Sequence, residues 1–206
     1  MKKRKHISTL FKGVTINKVI KTLVYSDLIL FTGWGFINPI LAIFFTDKVS
    51  GGDVTMVGIA MGMYFLVKSL VQIPVARYID LEKGELDDFW ILITGSIIST
   101  SVPFIYLFVS EPWHVYAVQI LHGLGAALSF PPWPAIFTRH IDEHEEGLEW
   151  SIYYSATDLG TAVAGAIGGF IAATYGYEFV MLAVGLFSIM STFSLFHMKN
   201  DMRKRT

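Results

Sequence analysis

Apolar residues run along this chain in six long blocks separated by short polar stretches. The blocks extend approximately from Leu23 to Phe45, Val54 to Ala76, Phe89 to Val109, Trp113 to Phe137, Trp150 to Thr174 and Phe179 to Phe196. At about 1.5 Å per residue each can cross roughly 30 Å of hydrocarbon. A backbone in lipid finds no water to bond, so it must close its hydrogen bonds within a helix or a barrel. The blocks lack the two-residue alternation of barrel strands, so each reads as a helix. The pattern predicts an all-α membrane protein, a six-transmembrane-helix bundle over 23–198, preceded by a basic arm at 1–22 and followed by a basic tail at 199–206.

Composition agrees: 53% of residues are apolar and 16% charged, where soluble domains carry about 25% charged residues. The net charge of -1 hides a strong asymmetry. The arm holds Lys2, Lys3, Arg4, Lys5, Lys12, Lys18 and Lys21; the tail holds Lys199, Arg203, Lys204 and Arg205; the second and fourth connections add Arg77, Lys83 and Arg139. The other side has only Lys48. Under the positive-inside rule that partition places both ends in the cytoplasm, which requires an even number of spans. The expected location is the cytoplasmic (plasma) membrane, crossed several times, with lipid as the surrounding partner. Met1 to Lys5 resembles the basic start of a signal peptide, but the first apolar block is too long and lacks a small-residue cleavage site, so it reads as a retained span. Leu10 to Ile20 reads as an amphipathic lead-in. Trp113, Tyr116, Tyr175, Tyr177 and Phe179 stand at the outer ends as interfacial anchors. No cysteine is present, which excludes a disulfide framework and a thiolate metal site.

Ionisable groups inside a bilayer cost about 2.5–3.5 kcal/mol each on insertion scales and face a bundle interior or an aqueous cavity. Span 1 carries Asp27, span 2 Lys68, span 4 His122 and span 5 Asp158, while spans 3 and 6 offer only hydroxyls such as Ser96, Ser99, Thr100, Ser188 and Ser191. The expectation is therefore that spans 1, 2, 4 and 5 surround something polar and that spans 3 and 6 face lipid. Helical spacing extends each charge into a stripe. The stripes are Asp27, Phe31, Trp34, Asn38; Met61, Tyr64, Lys68, Gln72; His122, Ala126, Ser129, Trp133; and Ser151, Ser155, Asp158, Ala162. Such mixed aromatic and polar faces suit a small-molecule cavity, although aromatics at helical spacing also simply pack. Counted from the cytoplasmic ends, Lys68 and Asp158 lie about 13 and 15 Å deep, so they are placed to neutralise each other. Snorkelling toward the cytoplasm is the alternative for Lys68, and a solvated helix start the alternative for Asp27.

Backbone-breaking residues add a second signal. Phe130-Pro131-Pro132-Trp133-Pro134 removes several ladder bonds from span 4 and must bend or interrupt it. Interrupted spans often mark binding sites, though a static kink is the plainer outcome. Span 5 carries two ridges of small residues, Gly160, Ala164, Gly168, Ala172 and Thr161, Gly165, Gly169, Ala173, which allow close approach of another helix from this chain or a partner. His140 and His144 stand four apart among carboxylates, a conceivable metal cluster that reads better as a solvated loop. There is no P-loop, HExxH or GxSxG, so no catalytic residue, metal, cofactor or nucleic-acid partner is implied.

The order of these landmarks resembles the N-terminal half of the major facilitator superfamily. Ala76-Arg77-Tyr78-Ile79-Asp80-Leu81-Glu82-Lys83-Gly84 is similar to the family's second-loop signature, with Ala76 in place of the leading Gly. Gln119 to Ala127 resembles the family's R-x-x-x-G-x-G-x-A pattern in span 4, with Gln119 where the Arg usually stands, and Gly160 to Gly169 resembles the glycine-rich motif of span 5 without its Pro. The resemblance implies two six-helix bundles around a central cavity, whereas this chain ends at the sixth span on a basic tail, as a complete one would. It thus implies a half-size secondary transporter whose two copies form a parallel homodimer and move a small solute by alternating access, with proton coupling through Asp27, Asp158 or His122. The expected pathway is Asp27, Trp34, Asn38, Tyr64, Lys68, Gln72, His122, Ser129, Trp133 and Asp158. The expected gating and interface set is Arg77, Asp80, Lys83, Arg139, Glu149, Gly165 and Gly169. On this model Lys68 approaches Asp158 of the second copy, and Asp80 caps that copy's span 5 near Glu149 to Ser151. The competing readings are a non-transporting scaffold, assembly factor or sensor with the same half fold, and a subunit pairing with a different six-helix half.

Overall fold

The computed structural model describes residues 16–81 and 84–202. Lys83, most of the lead-in before Ile16 and the basic residues beyond Met202 lie outside the described residues. Among the described residues the chain is helical and contains no strand. The elements are α1 (Lys18–Gly35), α2 (Leu41–Lys48), α3 (Val54–Leu81), α4 (Leu86–Tyr106), α5 (Pro112–Ser129), α6 (Pro132–His140), α7 (Glu146–Tyr175) and α8 (Tyr177–Leu195), with short 3-10 turns at Asn38–Ile40 and Phe196–Asp201. They make six spans: α1 with α2, α3, α4, α5 with α6, α7 and α8. Five are long and apolar enough to cross a membrane; the fourth falls short of that measure where its prolines divide it.

Each departure from uniform helix has a local cause. α1 begins at Lys18 because the Asn17 Oδ1 accepts the Val19 N–H at 2.8 Å, satisfying a donor the first helical turn leaves open. The first span passes through the 3-10 turn at Pro39, whose nitrogen has no proton for the helical ladder. Pro131 and Pro132 end α5 at Ser129 and start α6, whereas α3 and α4 continue through Pro74 and Pro103.

Lys18 Nζ meets Asp201 Oδ2 at 2.7 Å, so the two described ends of the chain lie at one end of the bundle, as an even number of crossings requires. At the opposite end Lys48 pairs with Glu178 at 2.8 Å and the Tyr177 hydroxyl donates to Asp47 at 2.9 Å. These exposed pairs contribute little stability. Packing is carried by apolar contact and close helix approach. α5 lies against α3 and α4, α1 against α7 and α8, and α4 against α8.

Small residues set the closest of these contacts. A β-carbon on Gly123 would stand 2.7 Å from the Tyr64 carbonyl oxygen, and one on Gly95 would stand 2.6 Å from that of Gly125. Of the two ridges in span 5, the one through Gly160, Ala164 and Gly168 packs on the first span within this chain, with Gly168 on the Phe36 backbone and Ala164 beside Gly35.

Spans 3 and 6 do not form the outward layer expected of them. In their most apolar stretches 39% and 44% of residues are buried, against 11% for span 2 and 17% for span 5. The hydroxyls of spans 3 and 6 turn inward: Thr100 Oγ1 lies 3.0 Å from Thr192 Oγ1, and Ser188 donates to the Val184 carbonyl at 2.8 Å. Hydroxyls can satisfy themselves on neighbouring backbone, so their number in a helix does not tell which side is covered.

One buried ion pair ties the connections together. Arg139, in the last turn of α6, donates from Nη1 to Oδ2 of Asp88, whose side chain is 0% exposed at the start of α4. Arg139→Met removes the only ion-pair partner of that carboxylate among the described residues. Breaking a buried pair from one side costs about 3–5 kcal/mol. The expected result is a clear fall in the Tm of detergent-solubilised protein, recovered in part when Asp88→Asn is added. An unchanged Tm for Arg139→Met would contradict it.

Candidate functional site

A cavity of about 540 Å³ lies between α1, α3 and α5, and α6 and α7 line it toward the terminal end. Eight of the ten expected pathway residues line it: Asp27, Trp34, Asn38, Tyr64, Lys68, His122, Ser129 and Trp133. Helical spacing makes this possible. Asp27, Trp34 and Asn38 share one face of the first span, Tyr64 and Lys68 one face of α3, and His122 and Ser129 one face of α5.

His122 sits between two aromatic rings. It stacks on Trp34, with centroids 4.6 Å apart and planes 12° from parallel, and lies 4.8 Å from Tyr64. Toward the terminal end Trp133 lies 4.7 Å from Tyr153, and Phe137 lies 4.4 Å from Trp150. Asp27 is set against this second cluster, 9% exposed, with the Tyr153 hydroxyl donating to its Oδ2 at 3.0 Å. It is therefore a buried carboxyl group on the cavity wall and not a solvated helix start. No cation stands within ion-pair distance of it among the described residues.

Two expected pathway residues lie elsewhere. Gln72 is one turn beyond Lys68, outside the cavity lining, with its Oε1 enclosed and without a partner among the described residues. Asp158 is exposed on the outer side of α7. The Lys68–Asp158 pairing is not formed within the chain: Lys68 Nζ instead lies 4.2 Å from the centroid of the Phe130 ring. The stripe chosen for span 5 is rotated away from the cavity, and the residues that face it are Trp150, Tyr153 and Tyr154. A signal for that face was present. Tyr153, Thr157, Gly160, Ala164 and Gly168 follow one another at helical spacing, so the ridge that packs on the first span carries Tyr153 inward with it. Ser96, Ser99, Ser191 and Thr192, from the spans expected to face lipid, also line the cavity.

The gating and interface set is dispersed. Arg77 and Asp80 are exposed near the end of α3. Arg139 is engaged with Asp88. Glu149 is only 1% exposed in the first turn of α7, against an apolar groove of about 180 Å³ beside α1, with both of its carboxylate oxygens enclosed. Gly165 lies against Pro39, while Gly169 has open space beside it. In the fourth connection His140 turns inward, with Nδ1 3.0 Å from the Ile136 carbonyl oxygen and Nε2 3.7 Å from Glu85. His144 is exposed, so the two imidazoles do not converge on a metal.

A six-span helical bundle with a polar and aromatic cavity in its middle defines a multi-pass membrane protein. Residues 24–205 match the sequence model described as Major Facilitator Superfamily, and the chain belongs to that family. The chain is 25% identical over 162 residues to the multidrug resistance protein MdtH of Yersinia pestis (strain Pestoides F), covering 77% of this chain and 38% of that protein. The MdtH of Yersinia pseudotuberculosis serotype O:1b (strain IP 31758) matches with the same figures. Among solved structures, the in meso crystal structure of the POT family transporter PepTSo superposes with a TM-score of 0.72 at 13% identity, over 94% of this chain and 39% of that one. That likeness concerns the fold. The chain spans about two fifths of the length of the relatives it matches.

Proposed function

We propose that the chain is one half of a secondary transporter in the plasma membrane, and that a second copy, related by a two-fold axis along the membrane normal, completes it as a parallel homodimer. The observation that carries this reading is the bare face of α3 and α7. Asp158 is exposed near the middle of α7, a place where a charge facing lipid costs about 2.5–3.5 kcal/mol. On α3, Gly58 and Gly62 stand four apart with open space beside both. That spacing suits a second helix packed close against α3. A protein surface covering both helices would shelter the carboxylate and use the glycines. The one-sided placement of Lys and Arg supports giving both copies the same orientation.

Within such a dimer the two cavities meet, and alternating access moves a small solute through them. The match to multidrug resistance proteins supports an organic solute. Asp27 is the group best placed to couple the movement to protons, because a carboxyl group that takes or gives up a proton changes the charge of the cavity by one. The short coverage of the relatives also suits pairing with a different six-helix half.

The chain contains no cysteine, so cysteine pairs can be introduced cleanly. Leu70→Cys in one tagged copy and Leu159→Cys in another are expected to crosslink in membranes, as are Asp80→Cys and Ser151→Cys. Gly58→Leu and Gly62→Leu are expected to abolish those crosslinks while the single bundle still folds, since a β-carbon at either position meets nothing within 4 Å. Native mass spectrometry showing a persistent monomer of the chain expressed alone would refute the homodimer and favour the heteromeric pairing. Purified protein that moves no solute in proteoliposomes would favour the scaffold or sensor.

A further inference from the structure

Lys68 is a cation without an anion among the described residues. It lies midway along α3, half-buried, on the wall of the central cavity. Among the described residues it makes no ion pair and no hydrogen bond; its ammonium rests 4.2 Å from the centre of the Phe130 ring. A ring face is a weak substitute for a counter-ion, because its quadrupole attracts the charge but accepts no hydrogen bond from the ammonium's three donors. The other charged group of the cavity, Asp27, is held by the Tyr153 hydroxyl and is not paired with Lys68. One turn before Lys68 stands Tyr64, which meets His122, and His122 stacks on Trp34. A cation with unused donors therefore borders a wall of flat rings.

We propose that Lys68 is the anion-binding group of this cavity and that the solute is an organic carboxylate with a planar apolar body. The carboxylate takes the ammonium's free donors, in a charge-assisted contact stronger than the one with the ring. The planar body enters beside the Trp34, His122 and Tyr64 rings, and the cavity of about 540 Å³ lies in the size range of small-molecule sites. A cationic solute would meet the Lys68 charge on the same cavity wall. This assignment rests on reading the cavity as the transport site.

The test uses the full chain in detergent and three probes of one shape: 2-naphthoate, 2-naphthamide and 2-naphthylmethylammonium. Isothermal titration calorimetry of each probe into the full chain reports binding. The naphthoate is expected to bind saturably and the amide at least about tenfold more weakly, with the ammonium not competing. Lys68→Met is expected to weaken naphthoate by about tenfold or more, and Lys68→Arg to hold it within about threefold. Equal affinity for the three probes, or preference for the ammonium, overturns the proposal without any variant. So does naphthoate binding unchanged in folded Lys68→Met. Naphthoate that binds but is not moved in proteoliposomes counts against transport and leaves the anion site standing. Movement of other solutes by protein that does not bind naphthoate removes the anion site alone.

Discussion

Gly168→Ala is expected to leave little correctly folded protein. Its new β-carbon would overlap the Phe36 carbonyl oxygen and stand 2.5 Å from the Phe36 Cα and 2.6 Å from its carbonyl carbon. These are backbone atoms of the turn that follows α1, so no side-chain rotation relieves the contact. Overpacking costs about 1–3 kcal/mol where neighbours can shift; here α7 or the first span would have to move as a whole, and the upper end of that range or beyond is expected. Gly169→Ala, one residue along, meets nothing within 4 Å. It should stabilise the helix by up to about 1 kcal/mol, the ordinary propensity difference between the two residues. The opposite signs can be read from Tm and from the monodisperse fraction on size exclusion. If both variants behave alike, the close packing of α7 on the first span is wrong.

The second large effect concerns coupling. Asp27→Asn keeps an oxygen that can accept the Tyr153 hydroxyl, now 3.0 Å from Oδ2, but it cannot carry a proton. If one proton moves per solute, a difference of one pH unit is worth 1.36 kcal/mol and sustains about a tenfold solute gradient. In proteoliposomes the variant should equilibrate solute without accumulating it, so the tenfold gradient falls to unity while exchange continues. Tyr153→Phe removes only the hydrogen bond, worth about 1 kcal/mol, and should keep the coupling. Accumulation that survives Asp27→Asn would move the coupling role to His122 or Asp158.

The limits of what could be read from residues alone show clearly in the fifth span. Its existence followed from length and apolarity, and its small residues announced a close helix contact. Its rotation did not follow. A stripe drawn through Asp158 placed that carboxylate inside, because a buried charge is the natural thing to shelter. In the fold, Gly168 on Phe36 and Ala164 beside Gly35 fix the helix on the first span, and the same face carries Tyr153 to Asp27 and leaves Asp158 outside. Lys68 lines the cavity, and its neighbour there is the Phe130 ring and not the carboxylate assigned to it. Phe130 caps the end of α5 with its N–H still bonded to the Ala126 carbonyl, ahead of the prolines.

The sequence by itself determined that the chain lives in a bilayer, how many times it crosses, and which residues are candidates for a polar interior. Those properties follow from local quantities: hydrocarbon thickness sets the length of an apolar block, and the cost of a buried charge marks the exceptional positions. Only the tertiary structure decided which face of each helix turns inward, which spans are covered and which partner each charge finds. Rotation and neighbourhood depend on steric fit between surfaces far apart in the chain, and a periodic pattern within one helix carries no record of the surface it meets.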